Sequence, residues 1–183
     1  MSIETHFYLP RILTANPVSG KTYTEDELLQ ASPYLIILAE PGAGKTELMR
    51  SLAQRLSTQS IEANSFRYRD DNECGRPLVI DGFDELAKID KAGIHQLLVL
   101  ALKAKPTHLI VSSRSSEWSH SSTSQFRKIF NVDPLVVYLC EFSQDELRTL
   151  FSYLHPNEDF DGFVREAKRF GVDVLLSNPQ FLH

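Results

Sequence analysis

The chain has 183 residues, of which 42% are apolar and 23% charged, and its length and composition are typical of a single globular domain. A net charge of −5 argues against a dedicated nucleic-acid surface. No apolar run is long enough for a membrane helix, the N-terminus lacks the pattern of a signal peptide, and Cys74 and Cys140 have no paired spacing. We therefore expect a cytoplasmic protein without a membrane partner.

Buried strands and amphipathic helices alternate along the chain. Four short runs are continuously apolar, which is typical of parallel strands covered on both faces: residues 34–39, 77–80, 109–112 and 135–139. Helical patterns cover residues 46–56, 94–102 and 147–154, and Ser143 with Glu146 forms a capping box before the last of these. This alternation predicts an α/β fold with a parallel sheet flanked by helices.

Two segments are less regular. Side chains alternate between polar and apolar around residues 66–68, which predicts a weak strand, but only eight residues separate Arg69 from Leu78. Because this gap is too short for a helical crossover, we expect a trimmed or irregular sheet there. Residues 112–124 are rich in serine and predict a loop. We divide the chain into a lead-in (1–30), a core (31–142) and a C-terminal helical subdomain (143–183), whose apolar end suggests truncation.

A glycine-rich loop, Ala-Glu-Pro-Gly-Ala-Gly-Lys-Thr at residues 39–46, joins the first predicted strand to a helix. Its glycines allow backbone N–H groups to turn toward phosphate oxygens, and the helix N-terminus adds its positive dipole end. Lys45 would contact the β- and γ-phosphates, and Thr46 would bind Mg²⁺. Ala39 replaces the usual first glycine, which we judge a minor loss. The predicted nucleotide-binding residues are Glu40, Pro41, Gly42, Ala43, Gly44, Lys45, Thr46 and Glu47.

An acidic motif at residues 78–86 follows the second predicted strand. The strand ends in Asp81, which in a parallel sheet lies at the same edge as the loop and could hold the hydration shell of Mg²⁺. Asp84 and Glu85 follow on the next turn, and either could polarise an attacking water. The plainer interpretation is an acidic helix N-terminus, which the helix dipole favours by itself.

Arg114 follows the third predicted strand. If that strand lies between the other two, Arg114 could contact the γ-phosphate; otherwise it is a surface arginine in a loop. A GTPase needs a base-reading motif, and the closest match, Ala-Lys-Ile-Asp at residues 87–90, has the wrong first residue. We therefore expect ATP or ADP with Mg²⁺. A small-molecule kinase stays open, although adjacent carboxylates favour water activation.

These motifs resemble the NACHT group of STAND-class signalling ATPases. The most specific part is Asp81-Gly-Phe-Asp-Glu85, with a glycine directly after the metal carboxylate. The segment Ser113-Arg114 is similar to the sensor arginine of that family, and residues 178–182, Asn-Pro-Gln-Phe-Leu, are similar to the segment that closes its helical subdomain. Residues 7–11, Phe-Tyr-Leu-Pro-Arg, suit the lead-in of bacterial members. The resemblance spans roughly residues 7–182 and departs at Ala39, at the short connection 57–77 and after His183.

The resemblance implies a P-loop NTPase of the ASCE type that acts as a molecular switch. Such proteins hold ADP when idle, exchange it for ATP when a ligand is sensed, and oligomerise; bacterial members often serve in anti-phage defence. The implied partners are a nucleotide, further copies of the chain and an unidentified protein trigger. Together with the motifs, the resemblance implies that the catalytic residues are Glu85, Asp84 and Arg114. It implies that the metal ligands are Thr46 and Asp81.

Two other functions stay open. In an AAA+-like remodelling or DNA-loading ATPase, a neighbouring copy completes the site, so the ATPase rate would rise steeply with protein concentration. A non-hydrolysing nucleotide-binding scaffold would not turn ATP over. Turnover that is lost on substitution of Glu85 would therefore exclude it.

Overall fold

The computed structural model describes residues 7–18, 20–68, 74–85 and 93–182. Residues 87–90, on which the argument against a GTPase rests, lie outside these ranges, as do Arg69, Leu86 and His183. No described helix is long and apolar enough to cross a membrane.

One seven-stranded sheet organises the described residues. Its strands are β1 (Leu13–Thr14), β2 (Thr22–Tyr23), β3 (Tyr34–Leu38), β4 (Ser60–Glu62), β5 (Leu78–Asp81), β6 (Leu109–Ser113) and β7 (Leu135–Leu139). Their spatial order is β2-β1-β7-β3-β6-β5-β4. Strands β3 to β7 run parallel, and β1 and β2 add an antiparallel edge from the predicted lead-in. The expectation of a mainly parallel α/β sheet is confirmed.

Side chains of β3 are buried on both faces of the sheet, which is why its sequence is continuously apolar. Leu35 and Ile37 belong to one core cluster, and Ile36 and Leu38 belong to the other. The first cluster includes side chains of α1 (Glu25–Ala31) and α2 (Lys45–Arg55), and the second includes side chains of α3 (Ala63–Phe66), α4 (Gly93–Lys103) and α5 (His120–Phe130). Each buried Leu or Ile side chain stabilises the fold by about 1.5–3 kcal/mol. The sheet is thus covered by helices on both sides.

The described residues form two compact units. The larger consists of residues 11–41 and 45–140 and contains the whole sheet. The smaller consists of residues 7–10, 42–44 and 141–182. Its elements are α6 (Gln144–Leu154), α7 (Phe160–Arg169) and two 3-10 helices, Asp173–Ser177 and Pro179–Leu182, which share a core that includes Phe151 and Phe160. The capping box of Ser143 and Glu146 before α6 is confirmed.

The predicted strand at residues 66–68 is wrong. The strand of this region is β4, several residues earlier, and Phe66 instead ends the short helix α3. Ala63 and Phe66 are the buried residues, three positions apart as a helix requires, whereas Tyr68 is 84% exposed. The apparent alternation around Phe66 was therefore a helical period, and β5 begins at Leu78.

The predicted loop at residues 112–124 is also too long. Strand β6 continues through Ser112 and Ser113, both completely buried, and α5 begins at His120. Ser119 and Ser122 form the capping box of α5, so their hydroxyls stabilise a helix start. Serine content alone could not separate a strand end and a helix cap from a loop.

Candidate functional site

Three neighbouring parallel strands carry the predicted site residues to one edge of the sheet. Strand β6 lies between β3 and β5, as the expectation for Arg114 required. Lys45 begins α2 after the loop that leaves β3, Asp81 is the last residue of β5, and Arg114 directly follows β6. The carboxyl ends of parallel strands meet at the same edge, which is where open α/β sheets bind ligands.

The loop after β3 has the backbone conformation that its glycines permit. Gly42 and Gly44 have φ angles of 76° and 87°, in the left-handed region that strains other residues. Ala39 is 3% exposed, and its N–H donates to the Ser113 carbonyl oxygen at 3.1 Å. Because Ala39 still continues the pairing of β3 with β6, a methyl group is tolerated where the usual motif has glycine.

Gly42 is constrained by its surroundings as well as by its backbone. Within the smaller unit, a Cβ atom at this position would overlap the side-chain amides of Asn178 and Gln180. The Asn-Pro segment therefore lies against the tip of the loop inside that unit. Any larger residue at position 42 would have to displace both amides.

Asp84 joins two cations of the larger unit. Its Oδ1 accepts a hydrogen bond from Lys45 Nζ at 2.8 Å, and its Oδ2 lies 2.8 Å from Arg114 Nε. The Asp84 side chain is only 2% exposed, and those of Lys45 and Arg114 are 17% and 37% exposed. Burial alone would raise the pKa of Asp84, but the hydrogen bond and charge of Lys45, joined by the charge of Arg114, hold it below its ordinary value. Asp84 is therefore an ionised bridge at neutral pH.

Asp81 is held by a neighbouring serine. Val79 and Ile110 pack in the same core cluster as α2, so Asp81 and Ser112, two residues further along their strands, project toward the same face. The Ser112 hydroxyl donates to Asp81 Oδ1 and accepts the Gly82 N–H at 3.0 Å. This pair of contacts fixes the direction of the carboxylate.

A cavity of about 420 Å³ is lined by residues of α2, β4 and β5. Its lining includes Thr46 from the first turn of α2, together with Asp81 and Glu85. Gln54, from the last turn of α2, and Ser60, from β4, also line it. Glu85 is exposed, in contrast to the buried Asp84. The cavity thus offers polar, solvent-accessible space directly beside the predicted metal ligands.

Other predicted loop residues have more peripheral surroundings. Glu40 and Pro41 are exposed, and Ala43 is partly buried. Glu47 forms an ion pair with Arg50 one turn further along α2. What Glu40, Ala43 and Glu47 can offer a phosphate is mainly backbone N–H groups, because glycine-rich loops bind phosphate through the main chain. Pro41 has no N–H and can only shape the loop.

Ser112 is a site residue that the sequence reasoning missed. The sequence places it at the last position of an apolar run and at the start of the predicted serine-rich loop, and neither interpretation assigns its hydroxyl a role. The signal was the pairing of β5 with β6, which puts Ser112 next to Asp81. Sequence without a known strand order could not supply that neighbour relation.

The donor set fits Mg²⁺ bound together with a nucleotide. In the described ranges, no group of three or more His, Cys, Asp or Glu side chains could hold a metal ion. Mg²⁺ commonly uses one or two carboxylates and completes its shell with substrate phosphates and water. Thr46 and Asp81, which line one cavity, provide such a partial site.

No sequence profile of a protein family matches the chain, and no curated protein gives a significant match. The arrangement of Lys45, Asp81, Asp84 and Arg114 is therefore what points to a function.

Proposed function

We propose that the chain binds ATP and Mg²⁺ at this sheet edge and hydrolyses ATP as a P-loop NTPase of the ASCE type. The observation that carries the proposal is that Asp84 joins Lys45 to Arg114 at the sheet edge where β5 ends in Asp81. Lys45 begins α2 directly after a loop whose glycines have positive φ angles. The position of β6 between β3 and β5 supports the ASCE type, in which a strand separates the loop strand from the acidic strand.

The loop and the cations bind the phosphates in this proposal. Backbone N–H groups at the start of α2 face negative charge favourably because of the helix dipole. Lys45 and Arg114 add two positive charges, one at each end of the Asp84 carboxylate. Thr46 and Asp81 would hold Mg²⁺, which would offset the negative charge of the phosphates.

Glu85 activates water for hydrolysis. Its carboxylate accepts a proton while the water oxygen bonds to the γ-phosphorus, and the bond to the β–γ bridging oxygen breaks, releasing ADP. The cavity beside Thr46 and Asp81 gives this water an approach. The inorganic phosphate and the proton then leave separately from ADP.

The cavity also favours a second candidate, a small-molecule kinase. Gln54, Gln59 and Ser60 could hydrogen-bond an acceptor whose hydroxyl takes the place of water. Phosphate released by purified protein in buffer that contains no hydroxylated additive supports hydrolysis. ATP consumption that requires an added acceptor would support the kinase.

We further propose that the module is a NACHT-type switch that works in the cytoplasm, where ATP is supplied. This proposal rests on the resemblance, and the residues that carry it, Asp81 to Glu85 and Arg114, are also those of the candidate site. Self-association on ATP binding, a protein trigger and a part in bacterial antiviral defence follow from the same resemblance. A rise in molecular mass on addition of ATP, measured by light scattering, tests the switch.

Asp81→Asn tests the metal site. We expect it to weaken nucleotide binding when Mg²⁺ is present and to leave binding in EDTA nearly unchanged, because Asp81 acts through the metal. Isothermal titration of ATP in both buffers makes the comparison, and Asp133→Asn, an exposed carboxylate of the same unit, is the control. An equal loss in both buffers would contradict a metal role.

A further inference from the structure

Asp84 and Glu85 are adjacent in sequence but have opposite surroundings. Both oxygens of Asp84 are engaged, Oδ1 by Lys45 and Oδ2 by Arg114, and its side chain is 2% exposed. Glu85 is exposed and lines the cavity beside Thr46. A general base must reach the water that it deprotonates and must have an oxygen that can take the proton. Of these two carboxylates, Glu85 meets both conditions.

The two cations need a shared anion to stay close together. Lys45 and Arg114 repel each other, and Asp84 holds each of them at 2.8 Å. An ammonium group has three N–H donors and a guanidinium has five, and each group uses one toward Asp84. Their other donors can bind phosphate oxygens without releasing Asp84. The arrangement is therefore suited to positioning a cationic pair before the nucleotide arrives.

We propose that Asp84 is a positioning residue that holds Lys45 and Arg114 together as one phosphate-binding pair, and that it takes no proton from the water that Glu85 activates in the proposed function. This inference rests on the proposed function and deepens it, since it gives two adjacent carboxylates different tasks. Asp84 acts through the cations, so its removal affects nucleotide affinity. Removal of the Glu85 carboxylate affects turnover.

The first experiment compares ADP affinity in Asp84→Asn and Glu85→Gln by isothermal titration with Mg²⁺. We expect Asp84→Asn to raise the Kd about tenfold, the effect of losing one charge-assisted contact. Glu85→Gln should leave the Kd within about twofold and lower kcat by about 10²–10⁴-fold. Asp133→Asn, which removes the carboxylate from an exposed pair with Arg127 Nε, is the matched control and should change neither quantity. An unchanged ADP Kd in Asp84→Asn would overturn the proposal.

A double-mutant cycle tests the bridge itself. With a non-hydrolysable ATP analogue, which keeps the γ-phosphate, Arg114→Gln alone should raise the Kd. It should add little in the Asp84→Asn background, because the pair is then already lost. Additive effects of the two changes would overturn the bridge. If Asp84→Asn does not fold, Arg114→Gln alone decides: a raised Kd supports the proposal and an unchanged Kd contradicts it.

The failure of this inference differs from the failure of the proposed function. If the wild-type chain binds no nucleotide, both fall together. If it binds ADP and Asp84→Asn shows an unchanged Kd with lost turnover, Asp84 is the base. Only the division of tasks is then wrong, and the nucleotide site stands.

Discussion

The orientation of the Asp81 carboxylate depends on one buried hydroxyl. Ser112 donates to Asp81 and accepts the Gly82 N–H, and none of its surface is exposed. Residues that orient a metal ligand typically change metal affinity by about 10–100-fold when they are replaced. Ser112 thus belongs to the candidate site although it touches neither metal nor phosphate in our proposal.

Ser112→Ala should therefore lower the Mg²⁺-dependent part of ATP affinity by about tenfold. Binding in EDTA should stay close to that of the wild type, since the phosphate contacts are intact. Ser113→Ala is the matched control: its hydroxyl is equally buried but has no hydrogen-bond partner among the described residues, so its loss should be neutral. Equal effects of the two serines would show that Ser112 has only a packing role.

Helices α1 and α2 are joined by a buried carboxylate. Glu25, 2% exposed, accepts hydrogen bonds from the Arg11 N–H at 2.8 Å, from Ser51 Oγ at 2.6 Å and from Arg55 Nε at 3.0 Å. Ser51 and Arg55 lie on α2, whose first residue is Lys45. The contact therefore anchors the helix that begins with Lys45, the residue to which we assign phosphate binding.

Glu25→Ala should destabilise the fold by about 2–3 kcal/mol, because it leaves buried donors without their acceptor. Asp26→Ala removes a carboxylate that contacts the same Arg55 but is 68% exposed, and it should cost less than about 1 kcal/mol. Urea unfolding of both variants makes the comparison. A smaller loss in Glu25→Ala than in Asp26→Ala would contradict the anchoring role.

Elements with a strong sequence period could be predicted, and short ones could not. The runs that became β3, β5, β6 and β7 were recognisable because two-sided burial requires continuous apolarity. In the α3 region, one helical turn and a three-residue strand gave too few residues to separate a period of two from one of 3.6. The predicted strand at residues 66–68 failed for this reason.

In the candidate site, too, some features could be predicted from the sequence and others could not. Lys45, Asp81 and Arg114 were recognisable because each follows a predicted strand, and parallel strands end at one edge. The sequence did not distinguish Asp84 from Glu85, because that distinction depends on how the turn after β5 directs each side chain. Contacts across strands, such as Ser112 with Asp81, required the strand order.

At the scale of the whole molecule, the larger compact unit contains all the side chains to which we assign chemistry. These are Lys45, Thr46, Asp81, Asp84, Glu85 and Arg114. The smaller unit contains the tip of the loop, residues 42–44, with the Asn-Pro segment at residues 178–179.

The most direct test is isothermal titration of ATP with Mg²⁺ into the wild-type chain and into Lys45→Ala. Lys45 begins α2 beside the loop and supplies a charge that the phosphates require, so the wild type should bind ATP and the variant should lose that binding. Lys128→Ala, which removes an exposed lysine of α5, should bind like the wild type. ATP affinity in Lys45→Ala equal to that of the wild type would contradict the assignment of this loop as a phosphate-binding site.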